Sequence, residues 1–267
     1  DMTLDCNREK FLIKNKFKDK SWNNRSLFSI YKQAHLPFEW HKKIFEKCKK
    51  LNIILFSSVF DLYSLKILKK LNCPAYKIAS LESLHFPLIE EVIKTKKPII
   101  ISTGTLNMKE ILKIKKFFLK KKYSNYAILH CVTEYPANYI NLNLRTIPYL
   151  IKIFKNNLVG FSDHTNDIAS SVSAVAMGAC IIEKHFKLND KNKVLDAKFS
   201  LNPEQMKILL DQTKKAWLSK GMVKKNVSKN EIVYRKYQRS IYAMTNIKKD
   251  EILSNKNIKV IRPAGGM

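Results

Sequence analysis

No run in this 267-residue chain approaches the ~20 consecutive apolar residues that a bilayer-crossing helix needs, so the sequence offers no transmembrane helix. The opening residues, DMTLDCNREKFLIKN, lack the succession of basic, apolar and small residues that marks a signal peptide. Cysteine is sparse: Cys6, Cys48, Cys73, Cys131 and Cys180 are scattered, odd in number and free of CxxC spacing. That pattern argues against a disulfide framework or a zinc ribbon and for reduced thiols in a cytoplasmic protein. Acidic residues are short too, with 22 Asp and Glu against 50 Lys and Arg and a formal charge of +28. Such a balance admits nucleic acid or an anionic surface as partner. Yet the lysines are spread along every predicted helix, as in KKIFEKCKK, LKILKK, EEVIKTKK and ILKIKKFFLKKK. Solvated lysine faces are the simpler reading, with no nucleic-acid or membrane partner expected. A positive surface would still draw an anionic substrate toward a cleft.

What the chain does contain is a repeating alternation. With 45% hydrophobic residues it can bury a large core, enough for one barrel-sized α/β domain and a small appendage. Strand-like runs stand at 53–58 (IILFSS), 75–80 (AYKIAS), 98–103 (PIIIST), 126–132 (YAILHCV), 158–163 (LVGFSD) and 180–186 (CIIEKHF). Helix candidates lie between them: Tyr63–Leu71, Pro87–Thr95, Met108–Lys121, Leu144–Phe154 and Ile168–Met177. An aromatic tract, SLFSIYKQAHLPFEWHKKIF, precedes them and reads as helix in its later part up to Lys50; Pro203–Lys220 is a last amphipathic helix. Strands begin about 22 to 32 residues apart, a spacing that suits βα units with right-handed crossovers. Continuous apolar runs of this kind suit parallel strands covered on both faces. Six units are visible where a closed barrel has eight, which leaves an open sheet or a barrel whose first two strands lie upstream. The second is the expectation: a (β/α)8 TIM barrel over residues 1–222 lacking its first two strands, a linker at 223–238, and a partial β-rich module at 239–267.

The chemistry gathers at strand ends. Leu158–Ser200 reads as strand, helix, strand, with Ser162-Asp163-His164 ending one strand and Glu183-Lys184-His185 the next. In parallel α/β folds that carboxyl edge is where ligands bind. Alternation puts Ser162 with His164 on one face, and Glu183 with His185 on one face. The histidines either reach one divalent metal or are two unconnected loop residues. Glu183 is expected to orient an imidazole or a bound water. Other strands end in Ser57-Ser58, Lys77 and Ser80, Ser102-Thr103-Gly104, and Thr133 with Tyr135. Singly, such hydroxyls are helix N-caps; together with a lysine they suit a phosphate or carboxylate. Lys77 sits in an apolar strand, so it is paired with an anion or it snorkels outward.

FSSVFD, PAYKIASLE, IISTG, CVTEYPA, GFSDHT, IIEKHF and DAKFSL occur in the order and spacing of the sialic-acid synthase family. YKQAHLPFEWH, and KIAS in place of KIPSG, resemble its pseudaminic acid synthase branch most; the sialic and legionaminic branches are the alternatives. The resemblance implies a TIM barrel followed by an antifreeze-like (SAF) domain in a domain-swapped homodimer. It implies a transferase that condenses phosphoenolpyruvate with an open-chain acetamido sugar, using Mn²⁺ or Mg²⁺ and releasing phosphate. For the pseudaminic branch the sugar is a 2,4-diacetamido-2,4,6-trideoxy-hexose of altrose type. It further implies His164 and His185 as metal ligands and catalytic residues, with Glu82 serving proton transfer or touching the sugar. Lys77, Ser80, Ser102 and Ser162 would hold phosphoenolpyruvate, and Thr133 stands where the sialic branch has asparagine. Tyr135 and Asp196 would bind sugar hydroxyls, and Arg262 of IRPAGG the sugar's N-acetyl group.

Overall fold

Local signals start the helices, and a computed structural model describing residues 25–189, 196–224 and 226–267 shows them in place. Ser26 caps α1 (Leu27–Ala34), and α2 spans Phe38–Lys50. The Asp61 carboxylate accepts the Ser64 N–H at 2.6 Å and opens α3 (Leu62–Lys70). After α4 (Phe86–Ile93), Asn107 and Glu110 form a reciprocal capping box at the head of α5 (Met108–Lys120). Then come α6 (Thr146–Ile153), α7 (Ala169–Ala176) and α8 (Pro203–Lys220). Apolar positions three and four apart face the sheet, for example Ile111, Ile114 and Phe118 of α5. The opposite faces carry the charge: Lys42, Lys43 and Lys47 of α2, Lys66, Lys69 and Lys70 of α3, and Lys113, Lys116 and Lys120 of α5 are all exposed.

The six predicted strands form one all-parallel sheet in sequence order. They are β1 (Ser57–Ser58), β2 (Tyr76–Ile78), β3 (Ile99–Ser102), β4 (Tyr126–Cys131), β5 (Leu158–Asp163) and β6 (Ile182–Lys184). The central β4 is buried along its whole length, as a strand covered on both faces must be. Its Tyr126 ring stacks on Phe118 with centroids 4.0 Å apart. The outer strands are shorter than their apolar runs. In β1 only Ser57 and Ser58 pair, while Ile53 and Ile54 are 56% and 80% exposed. Among the described residues β1 has one neighbour, so half of its ladder is missing and pairing fades first there. At the other edge a single parallel bridge, Phe186 to Leu201, extends the pairing past β6.

Residues 221–267 form a second compact unit. Ser228 caps a short helix α9 (Lys229–Ile232), a 3₁₀ turn follows at Val233–Tyr237, and β7 (Ser240–Ala243) pairs antiparallel with β8 (Ile258–Ile261). Helix and turn thus occupy most of the stretch expected as a linker. No described helix is long and apolar enough to cross a membrane.

Candidate active site

Each strand delivers its polar residue to the carboxyl edge because the apolar run ends there and the chain turns away. After β2 the chain makes a 3₁₀ turn, Ser80–Glu82, held by a 2.5 Å hydrogen bond from Ser83 Oγ to the Ser80 carbonyl. That turn sets the Ser80 hydroxyl against the loop after β3, where the Gly104 N–H donates to Ser80 Oγ at 3.0 Å. Gly104 leaves no room for more: a Cβ there would overlap Thr133 Oγ1 and lie 2.8 Å from Ser80 Oγ and 3.2 Å from Cys131 Sγ. A small cradle results, floored by glycine and ringed by two hydroxyls and a thiol. Ser102 is 2% exposed. Its Oγ, Thr133 Oγ1 and Glu82 Oε2 are buried without a hydrogen-bond partner. Buried polar atoms left unpaired are costly, and one of the three, Thr133 Oγ1, rings the cradle itself, which suits a site shaped for a polar ligand.

Lys77 is buried and held from two sides. Its Nζ donates to the Ile78 carbonyl at 3.3 Å and lies 3.5 Å from Glu183 Oε1. The same Glu183 oxygen accepts the Ser162 hydroxyl at 2.6 Å. Glu183 therefore gathers two residues expected to bind an anion, a contact different from the imidazole or water expected of it. Burial pushes the Glu82 carboxyl above its ordinary range, with the nearby Lys77 charge opposing.

The two histidines meet. Their ring centroids are 5.3 Å apart, and imidazoles sharing one ion at about 2.1 Å per nitrogen have centres no more than roughly 6 Å apart. Nδ1 of His164 lies 2.9 Å from the Val132 carbonyl, which can only accept, so that nitrogen carries the proton, and in the neutral ring Nε2 holds the lone pair. Nδ1 of His185 lies 3.4 Å from the Asp196 carboxylate, which orients the second ring in the same sense. Phe199 meets both imidazoles edge-on, at 6.1 Å to His164 and 4.8 Å to His185, and Tyr135 lies 4.4 Å from His164. The donor set fits a divalent cation held by two imidazoles. Among the described residues, no cluster of three or more His, Cys, Asp or Glu side chains suited to a metal is present.

A chain of contacts thus links Lys77, Glu183 and Ser162, then Ser80, Gly104, Thr133 and Cys131, then His164, His185, Tyr135 and Asp196. The model of the NeuB family matches residues 3–225 of this chain. The chain belongs to the NeuB family. This NeuB-family chain is 37% identical over 266 residues to a pseudaminic acid synthase of Campylobacter jejuni strain 81-176, spanning 100% of this chain and 76% of that protein. It is 33% identical to the pseudaminic acid synthase of Helicobacter pylori, spanning 100% and 77%. An N,N'-diacetyllegionaminic acid synthase of Campylobacter jejuni is 38% identical over 251 residues, or 92% and 74% of the two chains. Among solved structures, an N-acetylneuraminic acid synthetase from Leptospira borgpetersenii superposes with a TM-score of 0.73 at 31% identity, over 78% of this chain and 73% of that one. A DAHP synthase from Thermotoga maritima, 18% identical with a TM-score of 0.59, shares the fold.

Arg262 of this NeuB-family chain follows β8 in the second unit. Asp196 contacts His185, which reading it as a sugar ligand alone did not foresee. Gly104, Cys131 and Phe199 were not among the expected site residues. Of these only Gly104 carried a local signal, as the glycine directly following two strand-end hydroxyls; the others depend on which strands lie side by side.

Proposed function

We propose that this chain is a pseudaminic acid synthase, which condenses phosphoenolpyruvate with an open-chain 2,4-diacetamido-2,4,6-trideoxy-hexose of altrose type. The observation that carries the reading is the pairing of two histidines, each with Nδ1 turned to a carbonyl or carboxylate, on the same sheet edge as a buried lysine and unpartnered hydroxyls. Lys77, Ser80, Ser102, Thr133 and Ser162 hold the phosphate and carboxylate of phosphoenolpyruvate through charge-assisted hydrogen bonds. His164 and His185 hold Mn²⁺ or Mg²⁺, which when bound supplies Lewis-acid polarisation of the sugar aldehyde. The enol carbon forms the new C–C bond at that aldehyde, water adds to the resulting cationic carbon, and the C–O bond to phosphorus' oxygen breaks to free inorganic phosphate. Glu82, whose carboxyl burial raises above its ordinary range, carries the proton that the added water gives up as the aldehyde oxygen gains one. Tyr135 and Asp196 orient sugar hydroxyls. Two further strands completing an eight-stranded barrel, an SAF identity for the second unit, the homodimer and a role for Arg262 at the N-acetyl group belong to the same proposal, supported by the family relationship.

The test is phosphate release and product mass with phosphoenolpyruvate, Mn²⁺ and a panel of acetamido sugars. Turnover is expected with the altrose-type sugar and is expected to be lost in His164→Ala and His185→Ala. Preference for N-acetylmannosamine or its diacetamido analogue would move the chain to the sialic or legionaminic branch. Phosphate release with none of them would overturn the reading.

A further inference from the structure

Behind the two histidines lies a buried ion pair that the proposed reaction does not use. Lys184 Nζ is 3.2 Å from Asp163 Oδ2, and the two side chains are 2% and 0% exposed. The residues are direct partners across β5 and β6, and each immediately precedes one of the histidines. Alternation along the strands turns them to the helix side, opposite His164 and His185. Every polar atom is occupied. Asp163 accepts the Thr165 N–H at 2.8 Å, Ser170 Oγ at 2.7 Å and Ser171 Oγ at 2.6 Å, both serines lying in the first turn of α7. Lys184 Nζ donates to the Thr165 carbonyl at 2.6 Å. The network therefore grips the backbone on both sides of His164 and joins it to the residue before His185.

Stability alone does not account for this arrangement. Taking two charges out of water costs several kcal/mol per ion, and well-packed apolar replacements are often as stable or more so. What an apolar pair lacks is direction: five polar contacts at set angles fix one relative placement of two strand ends. We propose that the Asp163–Lys184 pair is a positioning device that fixes the spacing and orientation of the His164 and His185 rings, so that both Nε2 atoms address one divalent cation. The cation half of this inference rests on the function proposed above; the ring-positioning half does not.

Two variants of the full chain separate these parts. Lys184→Met keeps the apolar stem and leaves Asp163 its three other donors, while the double variant Asp163→Asn/Lys184→Met leaves no charge at either position of the pair. Long-range ¹H–¹⁵N spectra of metal-free protein report the tautomer and exchange of each imidazole. In wild type, one tautomer protonated on Nδ1 is expected for each ring; in the folded variants, mixed or exchange-broadened signals. Calorimetric titration of Mn²⁺ should then show an affinity loss of about tenfold or more, the scale seen when groups supporting metal ligands are removed. Folded variants with wild-type imidazole spectra and wild-type Mn²⁺ affinity would overturn the proposal. So would a neutral double variant that cannot fold, because the pair would then serve the fold and not the rings. Altered spectra together with no Mn²⁺ uptake by wild type would sink the metal reading and leave the positioning role standing.

Discussion

Replacing Gly104 by alanine tests the cradle with a single methyl group. Gly104 does not occupy the left-handed region, so the backbone accepts alanine and the cost is one of space. The added Cβ would overlap Thr133 Oγ1 and crowd Ser80 Oγ at 2.8 Å, and Thr133 and Ser80 are both rim hydroxyls. Overpacking of this kind costs about 1–3 kcal/mol, against which the stiffer unfolded chain returns about 0.4–1 kcal/mol. The variant should therefore fold, with a net loss of about 1–2 kcal/mol read from urea unfolding monitored by circular dichroism. The larger effect falls on binding. A hydroxyl bonded to a charged ligand contributes about 1.5–3 kcal/mol, and displacing even one weakens binding by about 10- to 100-fold. Calorimetric titration of phosphoenolpyruvate into wild type and Gly104→Ala measures this directly. A folded Gly104→Ala protein that binds phosphoenolpyruvate as tightly as wild type would refute the assignment of Ser80 and Thr133 to the anion.

Two further outcomes follow from buried titratable groups. Because the folded Glu82 carboxyl is raised by burial, the native state holds more protons than the unfolded one above an ordinary carboxylate pKa of about 4.5, and stability falls as pH rises through that window. Glu82→Gln should thus match wild type in acid and be more stable at neutral pH while losing about 10²-fold or more in turnover, and an unchanged melting profile would reject the burial argument. His130 has the opposite balance: burial lowers its pKa, its Nε2 donates to the Leu142 carbonyl at 2.6 Å, and the native state therefore resists protonation. Stability should decline as pH drops from about 6.5 toward the lower folded value, and His130→Gln should flatten that slope in urea midpoints taken between neutral and mildly acidic pH.

The sheet and its helices were legible because their signals are local. Asp61 before Leu62 and Asn107 before Met108 announce helix starts, and the run Leu158–Asp163 matches β5 from end to end. Residues 53–56 misled for the complementary reason: IILF has strand composition, but a strand forms only where a neighbour offers its ladder, and β1 is paired on one side. The histidines could be named in advance since both end predicted strands. What they touch could not, since the Val132 carbonyl and Asp196 approach from segments 32 and 11 positions away in the chain. Glu183 shows the same limit: strand alternation gives its face, whereas its grip on Lys77 depends on how β2 and β6 approach across the sheet's interior face. The residues named beforehand at 1–24 and 190–195 lie outside the described residues, and the loop leading into Asp196 with them.

The lysines on the outer faces of α2, α3 and α5 tie two solution properties together in opposite senses. Elsewhere on the shell, Lys94 pairs with Glu91, Lys121 with Glu90 and Lys215 with Asp211. A net charge of +28 on one chain repels itself, and the repulsion reaches across the helical shell in dilute buffer. At physiological ionic strength the Debye length shrinks to about 8 Å, which relieves that strain and also shortens the range over which the shell attracts an anion. Added salt should therefore firm the fold while slowing the capture of an anionic ligand. The ionic strength that gives the longest-lived protein is then not the one that gives the fastest encounter.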